Sequence, residues 1–279
     1  MADITTKKPT KNHEVTVSAR RRFGGYTPEQ RQEVRPLDAK ECDNIVKIRI
    51  AWTQWEYGTK EYSGDDQSKY NLTDDYLTGI SPSADDVKKF VDMLADLQHE
   101  ERDSKDFKVD VGIFLSALVN RGCDEEYEID TKKFDELIQS LGYENCKKLR
   151  ILGDAGMFAG MMMNEKGHII IEGDAESVGT SLAGGTIIVK GDVYGAGTLM
   201  SDGTIEVYGV LSGEIGADMS DGTIIAHNGF TGYIDSHMYG GTIHITGGKC
   251  PRIPNDNNVV AIYHNGKCIA DGQGGMDDW

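Results

Sequence analysis

The chain has 279 residues, with 46 acids against 29 bases and a net charge of −17. That balance argues against nucleic acid as a partner, because phosphate binding needs clustered Lys and Arg, and no run approaches the roughly 18 apolar residues of a membrane-spanning helix. Five scattered cysteines (Cys42, Cys123, Cys146, Cys250, Cys268) form no C-x-x-C pair, so neither a zinc ribbon nor a disulfide framework is supported. Reduced thiols in a cytoplasmic protein are the expectation, and residues 1–22 lack the apolar stretch of a signal peptide.

Residues 1–44 read as an extended arm, polar and locally basic (Lys7, Lys8, Lys11, Arg20, Arg21, Arg22, Arg31, Arg35). The arginine triplet is read as a solvated charge run in preference to a phosphate or acidic-partner site. An α-rich region follows over 45–148. Its opening (Ile45, Val46, Ile48, Ile50, Trp52) alternates, which predicts a strand over 45–57. Trp52, Trp55 and Tyr57 read as a local core cluster in preference to an interface anchor, and 58–82 as loop. Three helices are then predicted. Ser83 precedes Asp85, Asp86, Val87, Phe90, Val91, Leu94 and Leu97, an N-cap, first-turn acids and an apolar stripe of helical period. Residues 111–119 are nearly all apolar, with Asp110 as cap and Gly122 as stop. The third places Asp130 or Thr131 at the cap, Phe134, Leu137, Ile138 and Leu141 on one face, and Gly142 at C′.

From Leu149 the composition changes: 22 of the 34 glycines lie in residues 149–249, and the sequence repeats itself. Gly167, Gly185, Gly203, Gly222 and Gly241 recur every 18 or 19 residues, each followed by a short alternating strand: Ile169/Ile171, Ile187/Val189, Ile205/Val207, Ile224/Ala226 and Ile243/Ile245. Each strand stops at Gly173, Gly191, Gly209, Asn228 or Gly247, and Met163, Leu182, Met200, Met219 or Met238 precedes each opening glycine. Three sides of four or five residues, each spanning roughly 15 Å, close one turn of a β-solenoid. Inward Ile, Val, Leu and Met stack in columns. Glycine corners permit positive φ and close backbone approach, with Asn228 the tolerated substitute. Proline, absent between Ile151 and Cys250, would remove a ladder N–H. The expected fold is α+β: a right-handed parallel β-helix over 149–249, a helical cap before it, and over 250–279 a hairpin with a tail. Asn265-Gly266 between 259–264 and 267–270 predicts a type I′ turn covering the last coil.

No chemistry emerges from the motifs. Gly195-Ala196-Gly197 precedes no helix, so the dipole that would hold a pyrophosphate is missing. His168, His227 and His244 fall at outward positions and read as surface histidines, the last two on adjacent turns but in different columns. Asp154, Asp174 and Asp192 follow corner glycines and read as side-chain-to-backbone bonds in the corner. No catalytic, cofactor-binding or metal-ligating residue is assigned.

Residues 173–191 (GDAESVGTSLAGGTIIVKG), 191–209 (GDVYGAGTLMSDGTIEVYG) and 209–228 resemble the repeats of the GXGXG domain family. Residues 112–120 (GIFLSALVN) and 141–156 (LGYENCKKLRILGDAG) look like the entry to the helix in such proteins. The family includes the β-helical subunit of formylmethanofuran dehydrogenase and the C-terminal domain of the glutamate synthase large subunit. The resemblance implies a non-catalytic structural subunit of a multi-subunit redox complex, most like the formylmethanofuran dehydrogenase subunit. The molybdenum or tungsten pterin, iron–sulfur and zinc centres are then expected on partner subunits. A separately encoded glutamate synthase-type spacer is the alternative, and a stand-alone solenoid enzyme or ligand-binding protein is a third reading of another class.

Overall fold

A computed structural model describes residues 39–60, 65–98, 106–253 and 260–271, with side chains in the first segment from Asn44 to Thr59. Residues 1–38 of the expected arm and 272–279 of the tail lie outside the described residues, while 39–44 are already helical. Among the described residues four helices, α1 (Ala39–Lys60), α2 (Asp66–Tyr76), α3 (Ala84–Leu97) and α4 (Phe107–Arg121), precede thirteen strands.

The predicted strand over 45–57 is therefore part of helix α1, and the predicted loop contains α2. The alternation misleads because two opposite faces of α1 are apolar. Ile48 and Trp52 face the core, whereas Val46 and Ile50 are half exposed. Two i, i+4 pairs offset by two residues imitate a period of two. Trp52 and Trp55 do enter the core, packed against Phe90 and Phe114 at centroid distances of 5.2–6.2 Å, while Tyr57 is exposed. Helix α3 has the expected start: Ser83 and Asp86 form a reciprocal capping box. Helix α4 begins one turn earlier than predicted, with Asp106 rather than Asp110 at its N-cap, and Gly122 ends it in an extended conformation. Asp110 thus lies inside the helix, buried against Lys69.

The solenoid starts before Leu149. Strand β1 (Glu126–Ile129) already pairs in parallel with β2 (Lys148–Ile151), and β2 with β3 (His168–Ile171). The sheet continues through β5 (Ala183–Val189), β7 (Asp202–Val207), β9 (Thr223–Ala226), β11 (Thr242–Ile245) and β12 (Ala261–His264). Successive registers such as Thr186↔Thr204, Thr204↔Thr223 and Thr223↔Thr242 carry the 18- and 19-residue repeat read from the glycines. A second sheet, from β4 (Ala175–Val178), β6 (Val193–Ala196), β8 (Glu214–Ile215) and β10 (Tyr233–Ile234), forms another side. The coil makes about seven turns.

The third predicted helix is in fact the first long turn of this coil. Only Thr131–Lys133 is helical, a single 3₁₀ turn that Asp130 caps. Gly156 donates to the Ile138 carbonyl and Gly160 to that of Leu141, so Ile138 and Leu141 enter solenoid columns. Gly142 is no helix terminus. Its φ of +75° matches those of Gly160, Gly179, Gly197 and Gly216 (69–73°), which stack turn upon turn. A Cβ on Gly160 or Gly179 would come within 2.5 Å of the next isoleucine's Cδ1, so glycine is needed there twice over. Asn228 is not left-handed, and neither are the strand-ending Gly173, Gly191 and Gly209, where a Cβ would instead come within 3 Å of the preceding turn's backbone; Gly229 takes the positive φ of 97°.

Inward columns run as the repeat requires. Ile169, Ile187, Ile205, Ile224 and Ile243 are fully buried, as are Met163, Leu182, Met200 and Met219, with Met238 nearly so. One continuous core joins them to the helices. The Tyr127 hydroxyl of β1 donates to the Pro82 carbonyl just ahead of α3. Gly112 in α4 sits so close to the first turn that a Cβ there would lie 1.7 Å from the Gln139 oxygen. Gly112→Ala is expected to cost about 1–3 kcal/mol by forcing helix and coil apart, measurable as a lowered urea midpoint; an unchanged midpoint would contradict this packing. At the far end β12 and β13 (Lys267–Asp271) form the expected antiparallel hairpin, with Asn265 and Gly266 at φ 50° and 77°, and β12 closes the parallel sheet.

Candidate functional site

The solenoid presents its outward residues in columns, and these define its working surfaces. On the large sheet Thr186, Thr204, Thr223 and Thr242 form one column. Ile170, Ile188, Glu206, Ile225, His244 and Tyr263 form the next. The three isoleucines are only partly exposed. Near β1 the same face carries ion pairs between turns: Lys148 with Glu126 at 2.8 Å, and Arg150 with Glu172 at 2.8 Å and Glu128 at 3.4 Å. The hydrogen bond from Lys148 holds the Glu126 carboxyl below its ordinary range.

Further along, side chains of three successive turns pile on one another. The Lys190 ammonium lies 4.2 Å from the Tyr208 ring centroid, and that ring stacks on His227 at 4.3 Å. His227 Nε2 is 3.1 Å from Glu206 Oε2, which also accepts from the Tyr208 hydroxyl at 3.3 Å. The Glu206 charge pushes the Tyr208 phenol up. His244 stacks on Tyr263 at 4.7 Å. The histidines thus lie outward as the alternation required. His227 and His244 occupy different columns, since Ala226 pairs with Ile245 and Ile225 with His244. Among the described residues no group of three or more His, Cys, Asp or Glu side chains is placed to hold a metal ion.

The aspartates after the corner glycines bond to backbone, as expected, but across turns rather than within one corner. Asp154 Oδ1 accepts from the Asp174 N–H at 2.8 Å, Asp174 Oδ1 from the Asp192 N–H at 2.7 Å, and Asp192 Oδ1 from the Val210 N–H at 2.7 Å. These carboxylates replace ladder bonds where the chain bends away from its neighbour. They edge a shallow groove of about 310 Å³ that includes Glu176 and Tyr194.

A carboxyl pair on the smaller sheet was not foreseen from the repeat. Burial pushes the Glu214 carboxyl up, and its hydrogen bond with Asp235 adds to the rise. Burial acts the same way on Asp235, but hydrogen bonds from His237 and Glu214 outweigh it and hold that group down. The His237 N–H donates to Asp235 Oδ1 at 2.6 Å. Glu214 is in register with Tyr233, whose ring is exposed, as is that of Tyr194. One signal was available in the sequence: Asp235 stands where earlier turns carry Gly179, Gly197 and Gly216.

No protein-family model matches the chain, and no curated protein or solved structure shows a match to it. No helix among the described residues is long and apolar enough to cross a membrane.

Proposed function

We propose that the chain is a non-catalytic structural subunit of a multi-subunit redox complex, of the kind that the β-helical subunit represents in formylmethanofuran dehydrogenase. The observation that carries this reading is the outer face of the large sheet. Its Thr column runs over four turns, beside a column that carries Ile170, Ile188 and Ile225 with Glu206 among them, on strands paired in parallel from turn to turn. Such a stack is stiff and quasi-one-dimensional, and holds neighbours at set spacings. Partly buried isoleucines beside threonines suit contact with other subunits, which mix apolar area with polar satisfaction. In this reading the coil is right-handed, as parallel crossovers almost always are, and the four helices cap its first turn. The pterin, iron–sulfur and zinc centres belong to the other subunits. The chain works in the cytoplasm and engages neither nucleic acid nor membrane. A glutamate synthase-type spacer is the same physical role with different partners.

Purification of the native protein under mild conditions, followed by mass analysis, is expected to recover this chain with at least one catalytic subunit. Recovery only as the chain by itself overturns the reading. The outcome would then favour a stand-alone solenoid enzyme or ligand-binding protein, with its chemistry at the neighbouring Glu214 and Asp235 carboxyls beside Tyr233.

A further inference from the structure

A trough follows the bend between the two sheets. Its floor is apolar, made by the buried Ala155, Ala175 and Val193. One rim is the row Asp154, Asp174 and Asp192 at the bend, all exposed. The other rim, on the small sheet, carries Glu176 and Tyr194, whose ring is 70% exposed.

The repeat builds the row and the breaks in the repeat end it. Each aspartate uses one carboxylate oxygen to accept an N–H of the next turn, at 2.7–2.8 Å. A carboxylate offers about four acceptor positions, so each retains capacity for another donor. Val210 takes the place after Asp192, and ahead of Asp154 the Lys132 side chain lies against Gly153. Other nearby bases are turned away: Lys190 lies 4.2 Å from the Tyr208 ring centroid, and Arg150 pairs with Glu172 and Glu128. No base lines the trough. An apolar floor under a wholly acidic rim, in a chain of net charge −17, selects a ligand with an apolar stem and positive charges.

Spacing narrows the class. A trough of about 310 Å³ is the size of a small-molecule site. Along the row the carboxylates recur at the inter-strand interval, about 4.7–4.9 Å. An extended peptide presents side chains on one side every 6.6–6.8 Å or so, twice its rise per residue, and falls out of step. A linear aliphatic amine with nitrogens three or four carbons apart sets its charges about 5–6 Å apart when its bonds are staggered, and stays close to step. Its methylenes suit the alanine and valine floor, and an ammonium at the Asp192 end reaches the Tyr194 ring. Among the described residues no three His, Cys, Asp or Glu side chains are placed to share one metal ion.

We infer that the trough between the bend aspartates and Tyr194 binds a linear aliphatic polyamine, with successive ammonium groups on successive turns. The trough is separate from the Thr and Ile columns of the large sheet, so ligand binding and subunit docking can each fail without the other.

The test is calorimetric titration of the full chain with spermidine at low salt, with circular dichroism confirming that each variant is folded. One-to-one binding that weakens as salt is added is expected. Asp174→Asn keeps an acceptor for the Asp192 N–H and removes only the charge, and should weaken binding about two- to fivefold. Asp221→Asn, which removes the same charge at the bend before β9, should leave affinity unchanged. Tyr194→Ala should weaken binding about two- to fivefold. 1,8-Diaminooctane matches spermidine in length but lacks the middle nitrogen, and should bind severalfold more weakly. Absence of binding to the wild-type chain overturns the inference. So does an equal effect of Asp174→Asn and Asp221→Asn, which would show attraction to the overall charge alone. Equal affinity for the diamine overturns the matching of nitrogens to turns, and displacement of spermidine by equimolar Mg²⁺ overturns the ligand class.

Discussion

Ile205→Asp is expected to unfold the central coil, with a loss on the order of 5 kcal/mol or more. Ile205 is fully buried, and its Cδ1 lies where a Cβ on Gly179 would be only 2.5 Å away, so no room exists for water. The substitution removes a packed apolar side chain, worth about 2–5 kcal/mol, and adds a carboxylate with no partner in reach. Against a total stability of about 5–15 kcal/mol the remaining balance is small or negative. Because each turn buries its core only against its neighbours, damage at one turn exposes the next. The adjacent Glu206→Ala gives the contrast. Glu206 points outward to His227 and Tyr208, with side-chain exposures of 25% and 36% for the Glu206–His227 pair. Its loss should cost less than about 1 kcal/mol. Urea titrations followed by circular dichroism compare the two directly, and equal losses would contradict the inward and outward columns.

Lys69→Met should cost about 3–5 kcal/mol at neutral pH. Lys69 Nζ lies 2.7 Å from Asp110 Oδ1 between α2 and α4, with side-chain exposures of 11% and 7%. Truncating one partner strands a buried charge. Burial already pushes the Asp110 carboxyl up, and the Lys69 hydrogen bond and charge only partly offset it. A carboxyl raised in the folded state penalises folding above its folded pKa, and that penalty disappears as the pH falls through it. Without Lys69 the rise is larger. The deficit of the variant relative to wild type should therefore shrink on acidification from about pH 7.5 to about pH 5, as Asp110 takes up a proton. Adding Asp110→Asn should restore much of the loss at neutral pH. A deficit of equal size at both pH values would show that packing, not the stranded charge, dominates.

What could be read along the chain differs by region for a physical reason. Inside the coil each residue meets its equivalent 18 or 19 positions away, so Thr186, Thr204, Thr223 and Thr242 align in space because they align in sequence. Repetition turns a long-range contact into a local pattern. The hairpin was legible for a related reason, since Asn265 and Gly266 dictate their own turn geometry. Outside the strict repeat that advantage lapses. Residues 131–142 space their apolar groups as a helix would, yet the parallel edge of β2 and the bonds from Gly156 and Gly160 draw them into the coil. The Glu214–Asp235 pair arises where the repeat breaks, and nothing within one turn announces it.

The amino-acid order by itself determined the solenoid, its columns, its corner glycines and its closing hairpin, because those features depend on period and on backbone conformations that few residues tolerate. Only the tertiary structure decided that 39–60 is a helix, that the coil begins at β1, and that Asp110 meets Lys69. Those outcomes rest on which of two apolar faces finds a partner, and that is settled by packing between segments distant in the chain.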